Sequence, residues 1–204
     1  MTRLLLASAS PRRRELLTGI GLGFELYPAP ELDEARILAG LLAELPQPRT
    51  VDDIAAALEQ LALAKGAPVS RQQPDALVLS ADTEVLLDGD CLGKPADSAH
   101  ACEMLGRLSG RWHAVVTAIA LQGEAAELRL SSNSLTTVKF APLSPAQIAR
   151  YVELEQPFDK AGGYAIQGRG ALIIERIEGD YSNVVGLPLG ALAKLLVQAG
   201  VWLL

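Results

Sequence analysis

Leu4-Leu5-Leu6-Ala7-Ser8-Ala9-Ser10-Pro11-Arg12-Arg13-Arg14 decides the fold class, because it holds a strand, a tight turn and a helix start in one stretch. Leu4 to Ala7 is a short apolar run. Ser10 at a cap, followed by Pro11 at the first helical position, is a strong helix start. Gly19 closes that helix near Ile20, and residues 23–28 read as a second strand.

The same signals can be followed outward along the chain. Residues 31–66 are rich in Leu, Ala and Glu and are split by Pro46 and Pro48. Two helices fit there, the second running from Val51 to Lys65 and stopping before Gly66 and Pro68. Ala76 to Ala81 is an apolar strand, and Glu84 to Cys91 a further strand turning at Asp88-Gly89. Asp97 to Leu108 is helical, Trp112 to Leu121 and Leu128 to Phe140 alternate as strands, and Ser144-Pro145 starts a helix that ends near Leu154. Gly162 to Gly170 is a glycine-rich loop, Ala171 to Ile177 a strand, and Pro188 opens the last helix. This order defines an α/β (α+β) protein with a mixed β-sheet flanked by helices.

Bulk properties narrow the function. The 204 residues suffice for one sizeable domain or two small lobes sharing a core. A net charge of -6 without a basic tail argues against a nucleic-acid coat, while a locally bound anion stays compatible. Cys91 and Cys102 form neither a CxxC pair nor a disulfide framework. The apolar run after Met1-Thr2 is too short for a signal peptide, and Lys194 and Gln198 interrupt the apolar C-terminal end. The expectation is a cytoplasmic protein that engages neither membrane nor nucleic acid.

Three constellations carry possible chemistry. Arg12, Arg13 and Arg14 follow Ser8 and Ser10 at a helix N-terminus, where unpaired N–H groups favour an anion and repel cations. A bound phosphate would relieve that conflict, although a solvated basic turn reads the same way. Ser80-Ala81-Asp82-Thr83-Glu84 sits at the end of an apolar strand, where open α/β sheets place ligands and where carboxylates suit magnesium or manganese. Asp33-Glu34 offers further carboxylates, and Lys65 and Gly93-Lys94-Pro95 offer ammonium groups; each alone reads as surface charge. In Asp159 to Gly168, glycines permit close approach, Gln167 can read a base edge, and Tyr164 offers a stacking face or packs inward.

At these residues the sequence resembles the Maf family of nucleotide pyrophosphatases. The resemblance runs through Leu6 to Leu17, Ala81-Asp82-Thr83, Leu92 to Pro95, Met104 to Gly110, Asp159 to Gly168 and Val184 to Leu189. It implies one Maf-like domain over residues 1–204, with two lobes around a cleft and an architecture like inosine-triphosphate pyrophosphatase. It also implies a divalent metal cation (Mg2+ or Mn2+), a nucleoside triphosphate substrate cut between its α- and β-phosphates, and a homodimer. On the family's pattern Asp82 is the acid-base group, and with Glu34 it holds the metal. Arg12, Thr83 and Gln167 fall on positions linked to substrate choice, and Ser8, Arg13, Lys65 and Lys94 on other polar positions of the cleft.

The stretch from Asp159 to Gly168 is similar to the subgroup acting on dTTP and UTP, rather than on 7-methyl-GTP. The alternatives are the same chemistry on a modified or 7-methylguanine nucleotide, or a nucleotide-binding regulator of cell division without significant turnover. Two departures stand out. Ser80 replaces a usual glycine, and Glu84 a usual apolar residue; Glu84 then becomes either an extra metal ligand or a solvent-facing change.

Overall fold

The computed structural model describes residues 3–30, 32–47 and 49–202. The expectations touching Met1, Thr2, Glu31, Pro48, Leu203 and Leu204 lie outside them. Its elements in chain order are β1 (Arg3–Leu6), α1 (Pro11–Gly19), β2 (Glu25–Leu26), α2 (Glu34–Ala43), α3 (Val51–Gln72), β3 (Ala76–Leu87), β4 (Asp90–Cys91), α4 (Ser98–Leu108), β5 (Trp112–Gly123), β6 (Leu128–Phe140), α5 (Pro145–Glu155), β7 (Ile174–Glu178), α6 (Tyr181–Val185) and α7 (Leu189–Gln198). The sheet is seven-stranded, ordered β2-β1-β3-β5-β6-β7 with β4 on β3. It is mixed: β1 pairs in parallel with β2 and β3, while β4 and β7 pair antiparallel with β3 and β6. Among the described residues, no helix is long and apolar enough to cross a membrane.

The chain divides into two compact units, one formed by residues 1–82, 117–134 and 186–204, the other by residues 83–116 and 135–185. In the first, the pleat sorts β1 and β3 into two apolar faces. Leu4, Leu6, Leu77, Leu79 and Ala81 join Leu187, Leu192, Leu195 and Leu196 in one cluster. Leu5, Ala7, Ala76 and Val78 join Val69 of α3 in another. Burial on both faces is why β1 and β3 read as unbroken apolar runs. Continuing the alternation puts Ser80 and Asp82 on the row of Ala76 and Val78, the row that α3 covers. The Ser80 hydroxyl accordingly donates to the Ala62 carbonyl of α3 at 2.6 Å.

Two expectations need correction. Helix α3 does not stop at Lys65 but runs on through Gly66 and Pro68 to Gln72. An internal proline costs roughly 3 kcal/mol, yet Val69 and Ser70 beyond it are buried, and that tertiary gain carries the helix through. A Thr50–Asp53 capping box secures its start. Asp82 does not end a strand, since β3 is continuous from Ala76 to Leu87. The edge is its neighbour's: pairing with β1 ends at Leu6–Leu79, which leaves Asp82 beyond the end of β1.

The second unit packs α4 and α5 residues Leu105, Leu108, Ile148 and Val152 against Val115, Val138 and Phe140 of the sheet. His113, Phe140 and Tyr164 meet edge to face, with ring centroids 4.8–5.4 Å apart. Tyr164 is therefore packed inward, not presented for stacking, and its hydroxyl lies 2.7 Å from His113 Nε2. Burial raises the Tyr164 pKa and lowers that of His113 to about 4.

His113 thus stays neutral in the fold while its unfolded counterpart protonates near pH 6.5. Stability is fully present above that value and is lost as pH falls toward 4, by roughly 3 kcal/mol in all. Urea unfolding between pH 7 and 4 should record this decline, and His113→Phe should flatten it.

Candidate active site

The first unit contains six of the expected residues, Ser8, Arg12, Arg13, Glu34, Lys65 and Asp82. The turn between β1 and α1 is organised by Ser8, whose hydroxyl accepts from the Ser10 N–H at 3.2 Å and from Arg13 Nη1 at 3.1 Å. Ser10 occupies the N-cap of α1 without a side-chain cap bond, and no acidic residue stands in the first turn. Ser8 therefore closes the turn, and the helix N-terminus keeps its positive end.

Arg13 is 9% exposed. Its Nε donates to the Gly186 carbonyl at 2.8 Å. Burial lowers its pKa, and the charges of Asp82 and Glu34 oppose that shift while Arg12 adds to it. An arginine so placed keeps its charge, because its ordinary pKa lies far above neutrality. Arg12 is half-buried and Arg14 exposed.

The centre of the unit is Lys65. It is 8% exposed, and Asp82 is 7% exposed. Its Nζ lies 2.7 Å from Asp82 Oδ1 and 2.7 Å from Glu34 Oε1. Of the Asp33-Glu34 pair, Asp33 caps α2 by accepting from the Arg36 N–H at 2.9 Å, which leaves Glu34, one residue into the helix, to reach the ammonium. Lys65 sits mid-helix because α3 continues past it, and Asp82 faces it by strand alternation. Two carboxylates converging on one cation form a compact site with hard oxygen donors.

The next residue explains how α3 comes so close. A Cβ on Gly66 would fall on Gln122 Oε1 and lie 2.7 Å from Ser80 Oγ. Both those side chains are buried, so only glycine fits. Sequence reasoning gave no role to Gly66, Gln122 or Gly186. The signal was a glycine inside a helix beside a charged residue, which read as a helix end.

Thr83, Lys94 and Gln167 belong to the second unit. Thr83 is half-buried on β3, next after Asp82 in the chain, and Lys94 is exposed in the turn after β4. Gln167 is half-buried and lines an open pocket of about 540 Å³ with Ile166, Ala171, Ile174, Ile177 and Tyr181. The segment around it folds as two 3-10 turns, Ala161–Gly163 and Gly168–Leu172, so the strand expected from Ala171 begins only at Ile174. Glu84, also half-buried, accepts from the Gly93 N–H at 3.2 Å.

The first unit thus holds a buried carboxylate–ammonium cluster and an arginine-bearing helix start, and helix starts and arginines are groups that suit phosphate-like anions. Residues 3–199 match the family described as Maf-like protein, and the chain belongs to the Maf family. A relative from Symbiobacterium thermophilum named dTTP/UTP pyrophosphatase is 50% identical over 200 residues, covering 98% of this chain and 95% of that one. Relatives of the same name from Burkholderia pseudomallei and Moorella thermoacetica are 49% and 47% identical, covering 96% and 98% of this chain and 93% and 97% of theirs. A solved structure, the Staphylococcus aureus Ham1 protein, overlaps 69% of this chain and 72% of its own at 13% identity, with a TM-score of 0.39.

Lys65→Met should leave Asp82 and Glu34 facing each other without a cation. Removing one partner of a buried ion pair costs about 3 kcal/mol. Thermal or urea unfolding should show that loss, and adding Asp82→Asn should restore part of it.

Proposed function

We propose that this chain hydrolyses dTTP and UTP to the nucleoside monophosphate and pyrophosphate. The observation that carries the reading is Lys65 held between Glu34 and Asp82, in a chain about half identical to relatives bearing the dTTP/UTP pyrophosphatase name. Charge bookkeeping supports it. Asp82 and Glu34 contribute two negative charges, Lys65 and Arg13 two positive ones, and Arg12 leaves a net positive edge for a polyphosphate.

The donor set fits a divalent metal. Magnesium-type sites use one or two carboxylates and complete their shell with water and substrate phosphate, and Asp82 and Glu34 already converge on one positive charge, the Lys65 ammonium. Among the described residues no group of three or more His, Cys, Asp or Glu side chains is placed to hold a metal. Bound by Asp82 and Glu34, Mg2+ or Mn2+ would neutralise phosphate charge and lower the pKa of nearby water.

The remaining roles fall to the chain's own residues. Asp82 accepts the proton of the water that attacks the α-phosphorus; the new P–O bond forms as the α–β bridge breaks and pyrophosphate leaves. Lys65 holds both carboxylates in place through its two 2.7 Å contacts, so that neither must reorganise during the reaction. Arg12, with the helix start held by Ser8 and Arg13, grips phosphate oxygens, and Lys94 does the same through its exposed ammonium. Thr83 and Gln167 recognise the base. The homodimer and the cytoplasmic setting belong to the same proposal, on the family resemblance.

Asp82→Asn should lower pyrophosphate release from dTTP with added magnesium by at least about a hundredfold while keeping the far-UV spectrum, with an unfolding midpoint lowered because the buried Lys65 loses one of its two charged partners. Turnover at the wild-type rate would remove the role. Wild-type binding without release would favour a nucleotide-binding regulator instead. Gln167→Ala should narrow the preference for dTTP and UTP over purine triphosphates about tenfold, since leaving a buried base edge unpaired costs about 1–3 kcal/mol. A nucleotide panel reads that ratio directly.

A further inference from the structure

Of the two readings open from sequence, an extra metal ligand or a solvent-facing change, neither explains where the Glu84 carboxylate goes. It is half-buried in β3 and accepts from the Gly93 N–H at 3.2 Å. Gly93 precedes Lys94 in the turn that follows β4. Leu92 and Pro95 on either side of it are buried, while at Gly93 itself, with φ +61°, a Cβ would meet nothing within 4 Å. Hydrogen bonds add to that packing.

The Gly93 carbonyl accepts from the Gly162 N–H at 2.8 Å, and Leu92 N–H donates to the Val85 carbonyl at 2.9 Å. Gly162 is itself pressed against Val85, where a Cβ would approach the side chain to 3.0 Å. Residues 84 and 85 of β3 thus anchor two segments at once, the Lys94 turn and the loop that carries Gln167. The residue at 84 decides whether the first of these anchors exists, because an apolar side chain has no acceptor for the Gly93 N–H.

We propose that Glu84 is a positioning residue for substrate recognition, fixing through the Gly93 N–H the turn that presents Lys94. The proposal rests on the nucleotide pyrophosphatase reading for its functional consequence, though not for the contact itself. What the contact needs from residue 84 is an acceptor oxygen, which a carboxylate or an amide supplies and an aliphatic side chain does not. Restricting the turn lowers the entropy lost when the Lys94 ammonium settles on a phosphate. The assignment places Glu84 in the substrate-gripping apparatus and outside the metal's ligand set.

The test compares Glu84→Leu, which removes the acceptor, with Glu84→Gln, whose amide oxygen keeps an acceptor but no charge. Two readouts are used on the full-length protein. Amide hydrogen exchange at Gly93, read without nucleotide, should rise about three- to tenfold in Glu84→Leu and less than about twofold in Glu84→Gln. Steady-state kinetics should show a KM for dTTP raised about three- to tenfold in Glu84→Leu with kcat within about twofold, and largely recovered in Glu84→Gln.

Equal KM losses in the two variants, or a matching shift in magnesium dependence, would make the charge the active feature and overturn the proposal. So would a fall in kcat at constant KM, the mark of a smaller folded fraction, or unchanged exchange at Gly93. Failure of the wild-type protein to release pyrophosphate would count against the enzymatic reading alone, since the exchange measurement does not depend on turnover.

Discussion

A buried ammonium between two carboxylates is the constraint around which the first unit is arranged. Taking Lys65 and Asp82 out of water costs several kcal/mol per ion unless the partners are close and well aligned, and here both carboxylate oxygens lie at 2.7 Å from one Nζ. Local features of the sequence converge on that geometry. Strand alternation turns Asp82 toward α3, the Asp33 cap sets Glu34 one residue into α2, and the missing side chain of Gly66 lets the helix approach Ser80 and Gln122. Each is cheap by itself. Together they hold charges that would otherwise disperse into solvent.

The second unit solves a different problem, holding the polar groups proposed for recognition on irregular backbone. Lys94 and Gln167 lie in turns rather than regular elements, which is where recognition residues commonly lie on a rigid frame. The frame is the apolar cluster beneath them, completed by the His113–Tyr164 contact and by the Gly93–Gly162 bond. Asn183 adds a buried amide that donates to the Val115 carbonyl and to Thr136 Oγ1, tying α6 to neighbouring strands.

Most of the elements could be read from local chemistry. Capping residues Asp97 and Ser144 and the period-two runs of β5 and β6 gave elements close to those found. The failures were tertiary. Pro68 and Gly66 look like a helix end because nothing nearby reveals that Val69 will be buried, and the two-residue β2 is shorter than its apolar flanks suggest. In the site, residue types pointed to phosphate and metal chemistry, but no spacing rule could pair Lys65 with Asp82 or give Arg13 the carbonyl of Gly186. Those partners are 17 and 173 positions apart, and only the folded sheet and helix bring them together.

The Arg13–Gly186 bond also has a temporal meaning. During synthesis the stretch from 83 to 185 is wholly available before residues 186–204 emerge, yet those last residues supply Leu187, Leu192, Leu195 and Leu196 to the core under the opening strand. The arginine turn must therefore wait for a residue made 173 positions later before its guanidinium finds a seat. A nascent chain stalled short of that glycine would carry a guanidinium without its carbonyl seat at the start of α1, so the order of the helix start depends on a residue supplied long after it.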